Sequence, residues 1–246
     1  MPRNRKGRKR LPYAFVTGCD HGVGLALAEQ LAGRGYAVAA CRLNDQETQL
    51  DRLAERYPNQ IVILPLNIAS DESVAGAASQ VPFPALDLLI NNAGILGTMD
   101  AGPDATLDFD LMQRVMNVNA FGALRVTVAL LPLLRKGVGK TVVNISSEAG
   151  SIRDCERTGW FGYCMSKAAN NMQGTLIHNT LRREGGRVFQ MHPGHVATYM
   201  RGHLDTTARI TPEVSAAGIL STVLDQQHPM GNRPLYLDYQ GKELPW

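Results

Sequence analysis

No two cysteines in this chain have CxxC spacing: Cys19, Cys41, Cys155 and Cys164 are scattered along it. That excludes a disulfide scaffold and a zinc ribbon, and fits free thiols in a reducing, cytoplasmic setting. No apolar stretch reads as long enough for a membrane span. No long apolar segment follows the basic N-terminal residues, so a secretory signal is not expected. Repeats and low-complexity linkers are also missing. The first ten residues contain no acid but carry Arg3, Arg5, Lys6, Arg8, Lys9 and Arg10, against a total charge of only +3, so the rest of the chain is net acidic. This basic run lacks aromatic interleaving and amphipathic pattern, so neither nucleic acid nor lipid is expected as a partner. Residues 1–11 read as a solvated, disordered tail.

What is present is an alternation. The 246 residues suit one α/β domain, over 12–246, able to bury a core without staples. Short apolar, β-branched runs at 13–17, 36–41, 61–65, 86–90, 141–145, 187–191 and 235–237 read as strands. Between them, helical spacing covers about 22–34, 46–57, 71–79, 105–132, 163–183 and 212–224. Such alternation predicts βαβ units and a single doubly wound, Rossmann-type parallel sheet. Ligands of such sheets bind at the carboxyl edge of the strands.

Chemistry-bearing residues fall at that edge. After the first strand comes Thr17-Gly18-Cys19-Asp20-His21-Gly22-Val23-Gly24, a glycine turn opening a helix. Glycines let backbone N–H groups approach an anion closely, and the helix N-terminus favours negative charge. The spacing is G-x-x-x-G-x-G; alone, it is equally consistent with a glycine-rich connecting turn. The second strand ends in Cys41-Arg42, where an NAD site would favour an acid. A cation there suits a 2′-phosphate, with His21 as a further donor, so NADP(H) is expected in preference to NAD(H), which stays possible. The competing account is a solvent-facing Arg42. Tyr163 and Lys167 lie four apart on one helix face, where an ammonium lowers a phenol's pKa toward working pH. Ser147, at a neighbouring strand end, can hold the oxygen with which Tyr163 exchanges a proton.

In order, TGCDHGVG, NNAG, MNVNAFG, NISS, YCMSK and HPGHVAT resemble the short-chain dehydrogenase/reductase family, over essentially all of residues 12–246. The resemblance implies that Tyr163 is general acid or base, that Lys167 lowers its pKa and holds the nicotinamide ribose, and that Ser147 orients the substrate oxygen, with Ser146 as its rival. It implies that Asn119 anchors a water relaying protons to Lys167. Gly18, Gly22 and Gly24 would cradle the pyrophosphate, with Asp20, His21 and Val23 beside them. Asn67, Ile68, Asn92, Ala93 and Gly94 would meet the adenosine side. Pro193, Gly194, Val196 and Thr198 would meet the nicotinamide side. The expected reaction is hydride transfer between a nicotinamide and a small carbonyl or alcohol substrate, in a homodimer or homotetramer paired through the 105–132 and 163–183 helices.

Two departures stand out. Asn67 replaces the acid common at the third strand's end, and Ser147 and Tyr163 are 16 residues apart, a few more than usual. The longer loop brings Trp160 and Phe161, a candidate apolar wall for substrate. The segment 196–211 predicts a small lid. The last eleven residues resemble small C-factor-like carbonyl reductases, whereas TGCD resembles retinol and steroid dehydrogenases, so an NAD-dependent lipid-alcohol dehydrogenase is an alternative. A nucleotide-sensing regulator without turnover is another. His192-x-x-His195 and His203 suggest zinc, but with no nearby cysteine no metal is expected.

Overall fold

The computed structural model describes residues 10–44, 46, 48–99, 102–229 and 231–246. Seven strands form one parallel sheet in the order β3-β2-β1-β4-β5-β6-β7. They are β1 (Tyr13–Val16), β2 (Ala37–Arg42), β3 (Ile61–Pro65), β4 (Leu88–Asn91), β5 (Thr141–Ile145), β6 (Arg187–His192) and β7 (Leu235–Asp238). The helices are α1 (Gly22–Gly33), α2 (Gln49–Arg56), α3 (Asp71–Ser79), α4 (Phe109–Met116), α5 (Ala123–Lys136), α6 (Phe161–Leu181) and α7 (Pro212–Leu220). The order reverses between β1 and β4, which makes the crevice above them the natural ligand site.

The two-residue period of the strands divides the core in two. Ala14, Val16, Val38, Ala40, Leu88 and Ile90 face one layer, which α1, α2 and α7 cover. Phe15, Ala39, Cys41, Leu89 and Val142 face the other, under α3, α5 and α6. A sheet buried on both faces needs apolar residues at nearly every position, which is why the strands read as unbroken apolar runs. Cys19 and Cys41 are part of this packing, and burial pushes both thiols well up, so they are inert.

Caps set several boundaries. Thr48 and Asp51 form a reciprocal capping box that starts α2 later than the apolar pattern implies. Asp108 accepts from the Leu111 N–H, so the helix expected from residue 105 begins at Phe109. That helix widens into a π-type turn over Asn117–Gly122 and continues as α5 through Pro132 to Lys136. The whole run Phe109–Lys136 is long and apolar enough to cross a membrane, contrary to the expectation that no stretch is. Its length comes from helical continuity through the wide turn and Pro132, and α5 packs against α3, α6, β4 and β5.

Of the expected tail, residues 1–9 lie outside the described residues. Arg10 does not belong to a free tail: its guanidinium pairs with Asp87 at 2.9 Å and lies over the Tyr13 ring.

Candidate functional site

The first turn at the carboxyl edge is closed by the segment after β4. The Thr17 hydroxyl accepts from the Asn92 and Ala93 N–H groups, both at 3.0 Å. In return the Asn92 side-chain amide donates to the Thr17 and Gly18 carbonyls at 3.0 Å. Gly18 has φ +69° and sits so close to Ala93 that a Cβ would lie 2.9 Å from the Ala93 Cα. A Cβ on Gly24 would lie 2.0 Å from the Gly18 carbonyl oxygen, so only glycine lets α1 start this near the turn. Asn92 is thus a clamp on the glycine turn as well as a cavity wall, and Thr17 is a structural residue that motif reading missed.

The turn opens into a cavity of about 660 Å³ spanning the switch point. At one end Gly18, Asp20, His21, Gly22 and Val23 line it, with Asn67 and Ile68 across from them. Asn92, Ala93 and Gly94 form its floor, and Pro193, Gly194, Val196 and Thr198 its far wall. Gly24 and Arg42 are not in the lining. Gly24 works through close packing. Arg42 turns to Asp51, with Nη1–Oδ2 at 2.6 Å, rather than facing the cavity as the phosphate-reading role required. Asp51 is held in place by the α2 capping box, and the Thr48 N–H and Arg42 together lower its pKa. The Asp20 carboxylate accepts from the Leu43 and Asn44 N–H groups, tying the turn to the end of β2.

The catalytic candidates meet at the other end. Tyr163 and Lys167 are nearly fully buried, the Lys167 ammonium lying 5.5 Å from the Tyr163 ring centre. Lys167 Nζ donates to the Ile145 carbonyl at 2.8 Å. The expected lowering of the Tyr163 pKa is overturned in this cavity. Burial pushes it up to about 12, with the Ser147 hydrogen bond opposing, and burial pulls Lys167 down to about 8. A pKa raised that far keeps the proton on Tyr163 at neutral pH. Ser146 is separated from its rival by geometry: its hydroxyl donates to the Asn171 side chain at 2.6 Å, leaving Ser147 as Tyr163's partner.

Asn119 sits in the wide turn between α4 and α5. Its side chain accepts from the Ile95 N–H and donates to the Ile95 carbonyl, both at 2.8 Å, and donates to the Ser166 hydroxyl at 2.9 Å. Both amide donors and one lone pair of its oxygen are engaged, which makes it a clamp on the loop after β4. Gly94 keeps space between it and Lys167, since a Cβ there would lie 3.1 Å from Asn119 Oδ1 and 3.7 Å from Lys167 Nζ.

Of the two aromatics in the long loop, only Trp160 lines the large cavity. Its ring stands edge-on to Tyr163 with centres 6.1 Å apart, under the Arg157 guanidinium at 5.1 Å. Arg157 is in turn paired with Glu148 at 2.6 Å. Trp160 has φ +63°, a left-handed conformation that costs a non-glycine residue about 1–3 kcal/mol, and it caps α6 two residues before Gly162-Tyr163. Phe161 instead borders a separate cavity of about 60 Å³ beside Met112 and Val115, because helix geometry turns it to the opposite side. The histidines do not converge either. His195 pairs with Asp205 at 2.9 Å, while His192 sits at the end of β6, and no metal-binding cluster occurs among the described residues.

The model of the family described as short chain dehydrogenase matches residues 12–209. The chain belongs to the short-chain dehydrogenase/reductase family. It is 33% identical to 1-hydroxy-2-glutathionyl-2-methyl-3-butene dehydrogenase of Rhodococcus sp. (strain AD45) over 213 residues, 85% of this chain and 89% of that protein. It is 39% identical to C-signal of Myxococcus xanthus over 169 residues, 69% of this chain and 98% of that one. Among solved structures, an NADPH-bound carbonyl reductase from chicken fatty liver superposes with a TM-score of 0.85 at 31% identity, covering 97% of this chain and 100% of that one. As a member of the family, the protein is an oxidoreductase acting between CH–OH and C=O with a nicotinamide nucleotide. The cavity fits that group: a turn sealed by backbone-tight glycines at one end, and a tyrosine, serine and lysine at the other.

Adding a methyl at Gly24 should therefore push the turn off α1. Gly24→Ala is expected to weaken binding of the nicotinamide nucleotide at least about tenfold, with a lowered melting temperature. Calorimetric titration checks this, and unchanged affinity would mean that the turn does not hold the cofactor.

Proposed function

We propose that the protein reduces an aldehyde or ketone to an alcohol with NADPH, Tyr163 giving its proton to the carbonyl oxygen. The observation that carries this reading is a buried Tyr163 that lies close to the Lys167 ammonium and shares one cavity with Ser147 and the glycine turn. A carbonyl oxygen between the Ser147 and Tyr163 hydroxyls accepts a hydrogen bond from each. A nicotinamide held along the Pro193–Thr198 wall of the cavity would supply the hydride for the carbonyl carbon. As negative charge develops on the oxygen, Tyr163 transfers its proton, and the phenolate left behind lies beside Lys167.

The preference for NADPH rests on Arg42 releasing Asp51 for a 2′-phosphate, a stronger anion partner at the same strand end, with His21 nearby. The similar carbonyl reductase with NADPH bound supports it. A second copy of the chain is the proposed partner. Phe109, Phe121, Val128, Met165, Met172 and Leu176 on α4, the wide turn, α5 and α6 are each more than half exposed, and pairing would cover them. A monomer in sedimentation would remove that part of the reading.

In assays of NADPH oxidation with a panel of aldehydes, ketones and quinones, Tyr163→Phe should lower kcat about 10²–10⁴-fold with NADPH affinity kept. Reduction should stay flat up to about pH 7, where Tyr163 keeps its proton and Lys167 its charge, and should fall as Lys167 loses its proton near 8. Arg42→Ala should raise KM for NADPH but not for NADH. NADPH binding without turnover on any carbonyl would favour a nucleotide-sensing regulator, and equal loss with both cofactors would deny Arg42 its role.

A further inference from the structure

Ser147 shares the cavity wall with Tyr163, and its backbone is set by a short turn. It is the second residue past β5, extended at φ −163°, and it begins a short tight turn over 148–150. Its hydroxyl accepts from the Ala149 N–H at 3.2 Å, and its carbonyl accepts from the Gly150 N–H at 2.9 Å. Both bonds are local, within three residues, and would move together with the turn. A hydroxyl that must meet both a substrate oxygen and Tyr163 needs an anchor from elsewhere in the fold.

That anchor comes from 89 residues away. Tyr236, in the last strand β7 and 1% exposed, donates its phenol O–H to the Ser147 carbonyl oxygen. Its ring is packed against Trp246, with centres 5.2 Å apart. The Trp246 carbonyl accepts from the Arg153 N–H at 3.0 Å, so the same closing segment also holds the start of the loop that carries Arg157 and Trp160. We infer that Tyr236 is a positioning residue, whose hydroxyl fixes the Ser147–Glu148 peptide and thereby aims the Ser147 hydroxyl at Tyr163 and the substrate oxygen. The inference rests on Ser147 holding the reacting oxygen. Burial pushes the Tyr236 pKa up to about 12, so the donor persists across the working pH range. The Ser147–Glu148 peptide is held by a side chain because main-chain bonding to β6 ends one residue earlier, where the Ser146 N–H donates to the Met191 carbonyl at 2.8 Å.

The test is Tyr236→Phe, which keeps the ring against Trp246 and removes only the O–H. It is read by amide exchange at Ala149 and Gly150 and by steady-state reduction of a carbonyl with NADPH. Exchange at both amides should speed up at least about tenfold while β1 amides stay unchanged. Turnover should fall about ten- to a hundredfold in kcat, with KM for NADPH unchanged. Trp246→Leu, which keeps the hydroxyl and removes the ring contact, should cost kcat much less. Unchanged exchange, or faster exchange with kcat intact, overturns the inference. Equal kcat losses in Tyr236→Phe and Trp246→Leu overturn it too, since packing would then explain them. Tyr163→Phe run alongside separates the two levels: full turnover there overturns the proposed reaction, while the exchange data still decide whether Tyr236 holds Ser147.

Discussion

The site is organised around one buried cation. Lys167 is 3% exposed, and its ammonium has the Ile145 carbonyl, at 2.8 Å, as its hydrogen-bond partner. An ammonium away from water is costly unless its N–H groups are satisfied, and one carbonyl meets only one of three donors. The rest of the arrangement follows from accommodating that charge. Gly94 leaves open space beside it, Asn119 holds the neighbouring loop in place, and Tyr163 lies close enough for its phenolate to be stabilised when it forms. With the phenolate absent, burial dominates both groups, which keeps the proton on the tyrosine and makes the lysine readily titrated.

The architecture was legible because it depends on local pattern. Seven apolar runs gave seven strands, and β3, β5 and α3 begin and end where the pattern placed them. A doubly wound sheet then brings strand ends together whatever the loops do, so motifs far apart in the chain could be assigned to one edge. Boundaries moved where a side chain outside the apolar pattern took control, as Asp108 did for α4 and Thr48 with Asp51 for α2. The tyrosine, serine and lysine were found together for the same topological reason.

What stayed hidden depends on contacts between distant residues. Arg42 has the right position for a phosphate, but Asp51 nine residues later takes its guanidinium, and only side-chain geometry shows that. Trp160 and Phe161 are adjacent and equally apolar, yet the helix start sends one into the large cavity and the other away from it. The direction of the Tyr163 shift was misjudged because spacing reports a neighbouring charge and not the degree of burial. Tyr236 has no motif of any kind. Its link to Ser147 exists because β7 closes the sheet beside β6 and carries the chain's last segment back under the catalytic strand end.

The claim that a desolvated lysine sets the electrostatics of the site can be measured without any substrate. The Lys167 side-chain resonance would be followed against pH by NMR in the cofactor-free protein, assigned by its loss in Lys167→Met. The account predicts half-titration near 8 rather than at the ordinary 10.5. A value near 10.5 would mean a solvated ammonium, and would contradict the dry, charge-centred site from which the chemistry is derived.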